Sequence, residues 1–150
     1  MTVELLDERF DPHARLAAYH ADAAFSGRTG AEASFIGYMR DNNEGDRVTG
    51  MQLEYYPGMT EKHLQVISDQ AMQQWHLLDV LIVHRVGAVT IGEALVLVAA
   101  WSAHRLDAFE AIRFMMEDLK SRAPFWKKEQ LEQGERWVER NTPGYRQEQN

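Results

Sequence analysis

Two apolar runs separated by a single glycine constrain this chain more than any other feature. Leu78 to Val86 and Val89 to Ala100 are rich in Val, Ile and Leu and flank Gly87, a pattern that predicts two buried strands. The longest apolar stretch, Ala94 to Trp101, is far short of the roughly 20 residues that a membrane span needs. Other parts of the chain must therefore cover both runs. A chain of 150 residues suits one domain with a working core. Apolar residues at 45% and charged residues at 26% are ordinary globular values that argue against disorder and coiled coil.

The flanking segments supply that cover. Asp11-Pro12 reads as an N-cap followed by proline in the first helical turn, opening an Ala-rich helix to about Phe25 that stops before Gly27. Ala33 to Arg40 predicts a strand, with Asp41 to Asp46 as its turn. Met51, Leu53 and Tyr55 alternate with polar or half-polar neighbours in the period of a half-buried strand, which Pro57-Gly58 breaks. Leu64, Ile67, Ala71 and Trp75 fall at helical spacing, predicting a helix from Met59 to Trp75. A third long helix ends before Pro124, with Ser102 or Asp107 as its N-cap, the latter completed by Glu110 as a capping box. Phe125 to Val138 predicts one or two short strands. The order α-β-β-α-β-β-α-β describes an α+β fold with a mainly antiparallel sheet. Residues 1–140 form the expected single domain, and the polar tail 141–150 is expected to fray.

Composition excludes several chemistries. Zero cysteines remove disulfides, thiolate metal sites and a cysteine nucleophile. The six histidines form no HxH, HxxxH or HExxH pair, so no zinc site is expected. Asp41 to Asp46 superficially matches a calcium loop, but its glycine comes one position early and Gln52 stands at position 12, so a hairpin turn is the better reading. There is no GxSxG and no phosphate-binding glycine loop. The early acidic residues Glu4, Asp7 and Glu8 do not suit a secretion signal. A cytoplasmic protein without nucleic-acid or membrane partners is the expectation.

The cations are unevenly placed. The net charge is −7, yet residues 101–130 hold six Lys/Arg against five Asp/Glu. His104-Arg105 stands at or just before a helix N-terminus, where the dipole disfavours cations. An anion site would tolerate that cost, since helix-start amides and Arg can share one phosphate; the alternative is a local pair of Arg105 with Asp107. Positions 105, 109, 112, 116 and 120 follow one helix face, so Arg105 and Lys120 bracket Phe109, Ile112 and Met116. A lysine beside such a stripe is partly desolvated, which lowers its pKa and improves it as proton acceptor or nucleophile. The alternative is a lysine snorkelling at a helix C-terminus. Lys127-Lys128 adds two further cations beyond Pro124, and Arg40 closes the first predicted strand.

A series of blocks carries a resemblance. They are Phe35 to Arg40 with Asn43 and Gly45, Leu53 to Met59, His84 to Gly87 with Gly92-Glu93, His104-Arg105 with Ala108-Phe109, Asp118-Leu119-Lys120, and Pro124 to Glu129. In order and spacing over about residues 30–138, this series closely resembles the large, catalytic subunit family of molybdopterin synthases. Tyr38-Met39 departs from the small aliphatic residue more usual before the arginine. The resemblance implies an α/β hammerhead-like fold with an added β subdomain. It implies a sulfurtransferase that converts cyclic pyranopterin monophosphate to molybdopterin, in molybdenum cofactor biosynthesis. Two dithiolene sulfurs arrive as the C-terminal Gly-Gly thiocarboxylate of a small ubiquitin-like partner. The implied assembly is a homodimer within a heterotetramer, with no cofactor of its own. By matching position, Tyr38, Met39, Arg40, His104, Arg105, Lys120, Lys127, Lys128 and Glu129 line the substrate pocket.

The residues suit that chemistry. A cyclic phosphate needs Arg and Lys donors. Sulfur transfer passes through a tetrahedral oxyanion at the thiocarboxylate carbon, which nearby cations stabilise. Lys120 is the expected acid/base group, with Lys127 second and its cationic neighbours expected to lower the pKa of Lys120. A non-catalytic homodimeric scaffold that docks a ubiquitin-like tail is the alternative, and an unrelated phosphate-ester enzyme a third; both leave part of this pattern without purpose.

Overall fold

The computed structural model describes residues 1–23, 25 and 27–139. Nine strands and three helices occur among them: β1 (Thr2–Leu6), α1 (Pro12–Asp22), β2 (Ala31–Tyr38), β3 (Asn42–Asn43), β4 (Asp46–Tyr55), α2 (Met59–Gln74), β5 (Asp79–Arg85), β6 (Gly87–Thr90), β7 (Ala94–Ser102), α3 (Arg105–Ser121), β8 (Phe125–Leu131) and β9 (Gly134–Trp137). The fold is α+β, as expected. None of the helices is long and apolar enough to cross a membrane.

The strands form two sheets. The first has the order β1-β5-β7-β2, with β7 antiparallel to both β5 and β2. Its central strands are apolar on both faces because both faces are covered. Val80, Ile82, Val96, Val98 and Ala100 pack under α2 and α3 against Leu64, Ile67, Ala111 and Met115. On the opposite face Leu81, Val83, Leu97, Ala99 and Trp101 pack against Leu16 and Tyr19 of α1. The second sheet is built on β4, which pairs antiparallel with β3, β6 and β8, and β8 carries β9. It holds its own small core around Met39, Val48, Met51, Leu53 and Val89.

Several predicted elements shift. β1 was absent from the expected order; its Thr2 to Leu6 pair parallel with Leu81 to Arg85, while the other ladders among the described residues are antiparallel. The run from Val89 to Ala100 is not one strand. Ile91-Gly92 breaks it, with Gly92 at φ 80°, so that β6 joins the second sheet and β7 the first. Gly87, at φ 84°, lets the chain leave the first sheet. Asp11 caps α1 as predicted, its carboxylate accepting from the His13 and Ala14 amides at 2.9 and 3.1 Å, but the helix ends at Asp22 rather than near Phe25. The N-cap of α3 is His104, neither Ser102 nor Asp107. Ser102 belongs to β7, and its hydroxyl donates to the His104 carbonyl at 2.6 Å. The expected frayed tail, 141–150, lies outside the described residues.

This route brings three pieces of chain to one end of the molecule. They are the last turn of α3, the end of β2, and β8.

Candidate active site

Helix α3 buries Ala108, Ala111, Met115 and Leu119 against the first sheet. The stripe through 109, 112 and 116 is the adjacent face. Phe109 is 65% exposed, whereas Met116, two turns further along, lies in the wall of a cavity of about 630 Å³. Lys120 follows one turn later in the same wall. Opposite it stand Tyr38, Met39 and Arg40, where β2 leaves the sheet, and Lys127 and Glu129 from β8. Six of the nine anticipated site residues thus meet in one chain.

Strand alternation separates Lys128 from its neighbours. Its ammonium pairs with Glu135 at 2.8 Å and lies 5.5 Å from the ring centroid of Trp137, across the β8–β9 ladder. His104 and Arg105 are also apart from the cavity. They sit exposed at the other end of α3, which runs unbroken from Arg105 to Ser121, about 22 Å from Lys120 at 1.5 Å per residue. The alternative, an Arg105–Asp107 pair, does not form, and no ion pair joins Arg105 to a described residue. The turn before them is packed tightly: a Cβ on Gly30 would lie 2.1 Å from the Ala103 carbonyl oxygen, so only glycine fits there.

The two lysines are the electrostatic centre of the cavity. Both are half-buried and hydrogen-bonded to each other. Burial pushes the Lys120 pKa below the ordinary lysine value, partly offset by the bond to Lys127. Burial, then the Lys120 charge and the bond between them, push Lys127 down to about 7, against the pull of Glu129. The Lys120 pKa is thus lowered in the expected direction, with burial as its first cause. Two lysines lowered in this way give up a proton more readily than ordinary lysines, which suits the pair to proton transfer.

Glu129 is a buried carboxylate among these cations, and Glu117 also lines the cavity. The Glu129 Oε1 accepts from Asn43 Nδ2 at 2.7 Å while Arg136 Nε stands 3.6 Å away. Arg136 also donates to the Asn43 carbonyl at 2.9 Å, tying the β3–β4 hairpin to β9. Sequence reasoning did not place Arg136 or Asn43 in this support. Asn43 lies 86 residues from Glu129, whereas Arg136 stands directly across the β8–β9 ladder from it, a pairing fixed by a hairpin register that the sequence reading did not assign.

Desolvating Lys127 costs stability, and the sign follows from its lowered pKa. Between about pH 7 and 10.5 the unfolded chain binds this proton more tightly, so stability rises with pH there; below pH 7 the full cost remains. Lys127→Met should therefore stabilise the fold at pH 6 by roughly 1–3 kcal/mol, with the gain fading towards pH 10. Thermal melts at both pH values check this. An unchanged or lower melting temperature at pH 6 would contradict it.

Comparison with known proteins gives a consistent result. The chain matches the model of the MoaE protein family over residues 5–122. A molybdopterin synthase catalytic subunit of Ralstonia nicotianae is 51% identical over 138 residues, covering 92% of this chain and 77% of that protein. Another, of Pseudomonas aeruginosa, is 49% identical over 139 residues, covering 93% and 91%. Among solved structures, a molybdopterin biosynthesis MoaE protein from Burkholderia ambifaria superposes with a TM-score of 0.77 at 44% identity, covering 95% of this chain and 92% of that one.

Proposed function

Since the chain belongs to the MoaE protein family, we propose that it works as the catalytic subunit of a molybdopterin synthase. Its substrate is cyclic pyranopterin monophosphate, and its sulfur donor is the C-terminal thiocarboxylate of a small ubiquitin-like partner. The observation that carries this reading is the hydrogen-bonded pair Lys120–Lys127 in the wall of a cavity that also presents Arg40.

Each sulfur transfer has two demands. The thiocarboxylate sulfur attacks a pterin carbon, forming a C–S bond while an oxygen leaves that carbon and takes a proton. Water then cleaves the resulting acyl–sulfur bond through a tetrahedral oxyanion, releasing the partner's carboxylate and leaving sulfur on the pterin. Lys120, as the ammonium, donates the proton to the leaving oxygen and steadies the oxyanion. Lys127, as the amine, accepts a proton from the attacking water. Arg40 neutralises phosphate charge with a planar pair of donors. Two rounds, with two partner molecules, complete the dithiolene. The reaction belongs in the cytoplasm, where reducing conditions preserve the thiol products.

The cations His104 and Arg105 complete the site from a second copy of the chain. Leu106 and Phe109 beside them are 66% and 65% exposed, an apolar surface suited to a subunit contact.

The partner's tail enters as an extended peptide, as in other main-chain recognition. Removing its terminal Gly-Gly should abolish turnover while the folded bodies remain intact. Product formation with the truncated partner would overturn the thiocarboxylate assignment.

A further inference from the structure

We propose that Glu117 selects the heterocycle of the substrate, its carboxylate accepting the two N–H donors on the 2-amino-4-oxopyrimidine edge of the pterin. The inference rests on the synthase reading and assigns the group that reads the ring system rather than the phosphate. Glu117 lies on α3 in the wall of the larger cavity. It stands three residues before Lys120, about 4.5 Å along the helix axis. The charged groups lining that cavity among the described residues are Arg40, Lys120, Lys127, Glu117 and Glu129. Its two carboxylates differ in what holds them. Glu129 is buried and accepts from Asn43 at 2.7 Å. Glu117 is exposed, and only its backbone carbonyl is engaged, by the Ser121 hydroxyl at 2.7 Å. No hydrogen bond or ion pair ties its carboxylate to a described residue. Asp118, the next residue, turns instead to α2, where His63 Nε2 stands 2.7 Å from its carboxylate.

A carboxylate held by no protein group is out of place in this wall. The substrate's phosphate is anionic, so a further negative charge lining its cavity weakens binding by repulsion. The dipole near the C-terminal end of α3 gives a carboxylate no support either. Donors on the substrate remove that cost. The pterin offers them as N3–H and the 2-amino group, side by side on the edge remote from the reacting carbons. A carboxylate meets such an edge with both oxygens, as it meets a guanidinium. No other lining group serves as well. Arg40 and the lysinium groups only donate, and Glu129 already accepts from Asn43. Asn42, also in the lining, offers one acceptor oxygen and sets its NH2 against the second N–H. Met39 and Met116 present polarisable apolar surface to the flat ring beside this edge.

The test compares Glu117→Gln with the wild type as full chains. Glutamine has the same shape, but its NH2 opposes the second N–H of the pterin edge. The side chain is exposed, so the melting temperature should not change. Titration calorimetry then follows three probes. They are a 6-substituted pterin bearing a phosphate ester, its counterpart with a carbonyl in place of the 2-amino group, and inorganic phosphate. The wild type should prefer the pterin over its 2-oxo counterpart by at least about tenfold, and Glu117→Gln should bring that preference below about threefold. Inorganic phosphate has no such edge and should bind the variant at least as tightly as the wild type, because a repelling charge is gone. Equal preference in the two proteins would overturn the assignment, and so would a loss of affinity shared equally by both pterins. A wild type that binds neither pterin would overturn the synthase reading and the assignment together. In turnover, Glu117→Gln should lower kcat/KM for cyclic pyranopterin monophosphate about tenfold. An unchanged kcat/KM beside an active wild type would overturn the assignment and leave the synthase reading standing.

Discussion

Lys120→Ala should reduce dithiolene formation by roughly 10³-fold or more while leaving the fold intact, because it removes both a proton donor and an oxyanion-stabilising charge. The side chain stands in the last turn of α3 outside the packed core, which is held instead by Ala111, Met115 and Leu119 on the adjacent face. Its loss also releases Lys127 from the neighbouring charge that helps depress its pKa. Lys127 should then titrate higher, so the acid limb of any residual activity should move to higher pH. Thermal melts and product formation on the two proteins measure both effects. Near-normal activity in a well-folded variant would remove Lys120 from the mechanism.

Mixing inactive variants should restore activity. Arg105 and Lys120 stand at opposite ends of an unbroken helix, about 22 Å apart, too far for one pterin phosphate to touch both. A two-fold dimer that brings Arg105 of one subunit near Lys120 of the other removes the conflict. Arg105→Ala and Lys120→Ala subunits should each be inactive alone. In each mixed dimer one site keeps both residues and the other loses both. Random exchange should therefore recover about a quarter of wild-type sites. A mixture shown to exchange subunits yet remaining inactive would exclude the shared site.

Local chemistry made some of this legible from sequence and hid the rest. The Asp11 cap, the Pro57-Gly58 break and the periodicity of α2 are decided by neighbours, and the structure follows them. β1 carries no alternation and is half-buried at all five positions, since an edge strand in a parallel pair is defined by its distant partner. The stripe through Met116 and Lys120 was legible from helical spacing and lines the cavity, whereas the buried face through Ala108 and Ala111 carried no strong apolar signal. Small residues are the ones that let α3 approach the sheet. For the site, the family resemblance named Arg40, Lys120, Lys127 and Glu129, and the fold gathers them. It could not reveal that Lys128 faces away, which is a matter of strand parity, or that Asn43 and Arg136 hold Glu129. The coupling between the two lysines depends on the burial they share where α3 meets β8, which is not written in spacing.

The most direct test follows sulfur itself. The purified chain is mixed with cyclic pyranopterin monophosphate and a partner whose terminal thiocarboxylate carries labelled sulfur, and both product and partner are weighed by mass spectrometry. Two labelled sulfurs should appear in each pterin product, with two partner molecules returned as carboxylates and no label left on this chain. A product without label, or labelled partner unchanged beside bound substrate, would contradict the account.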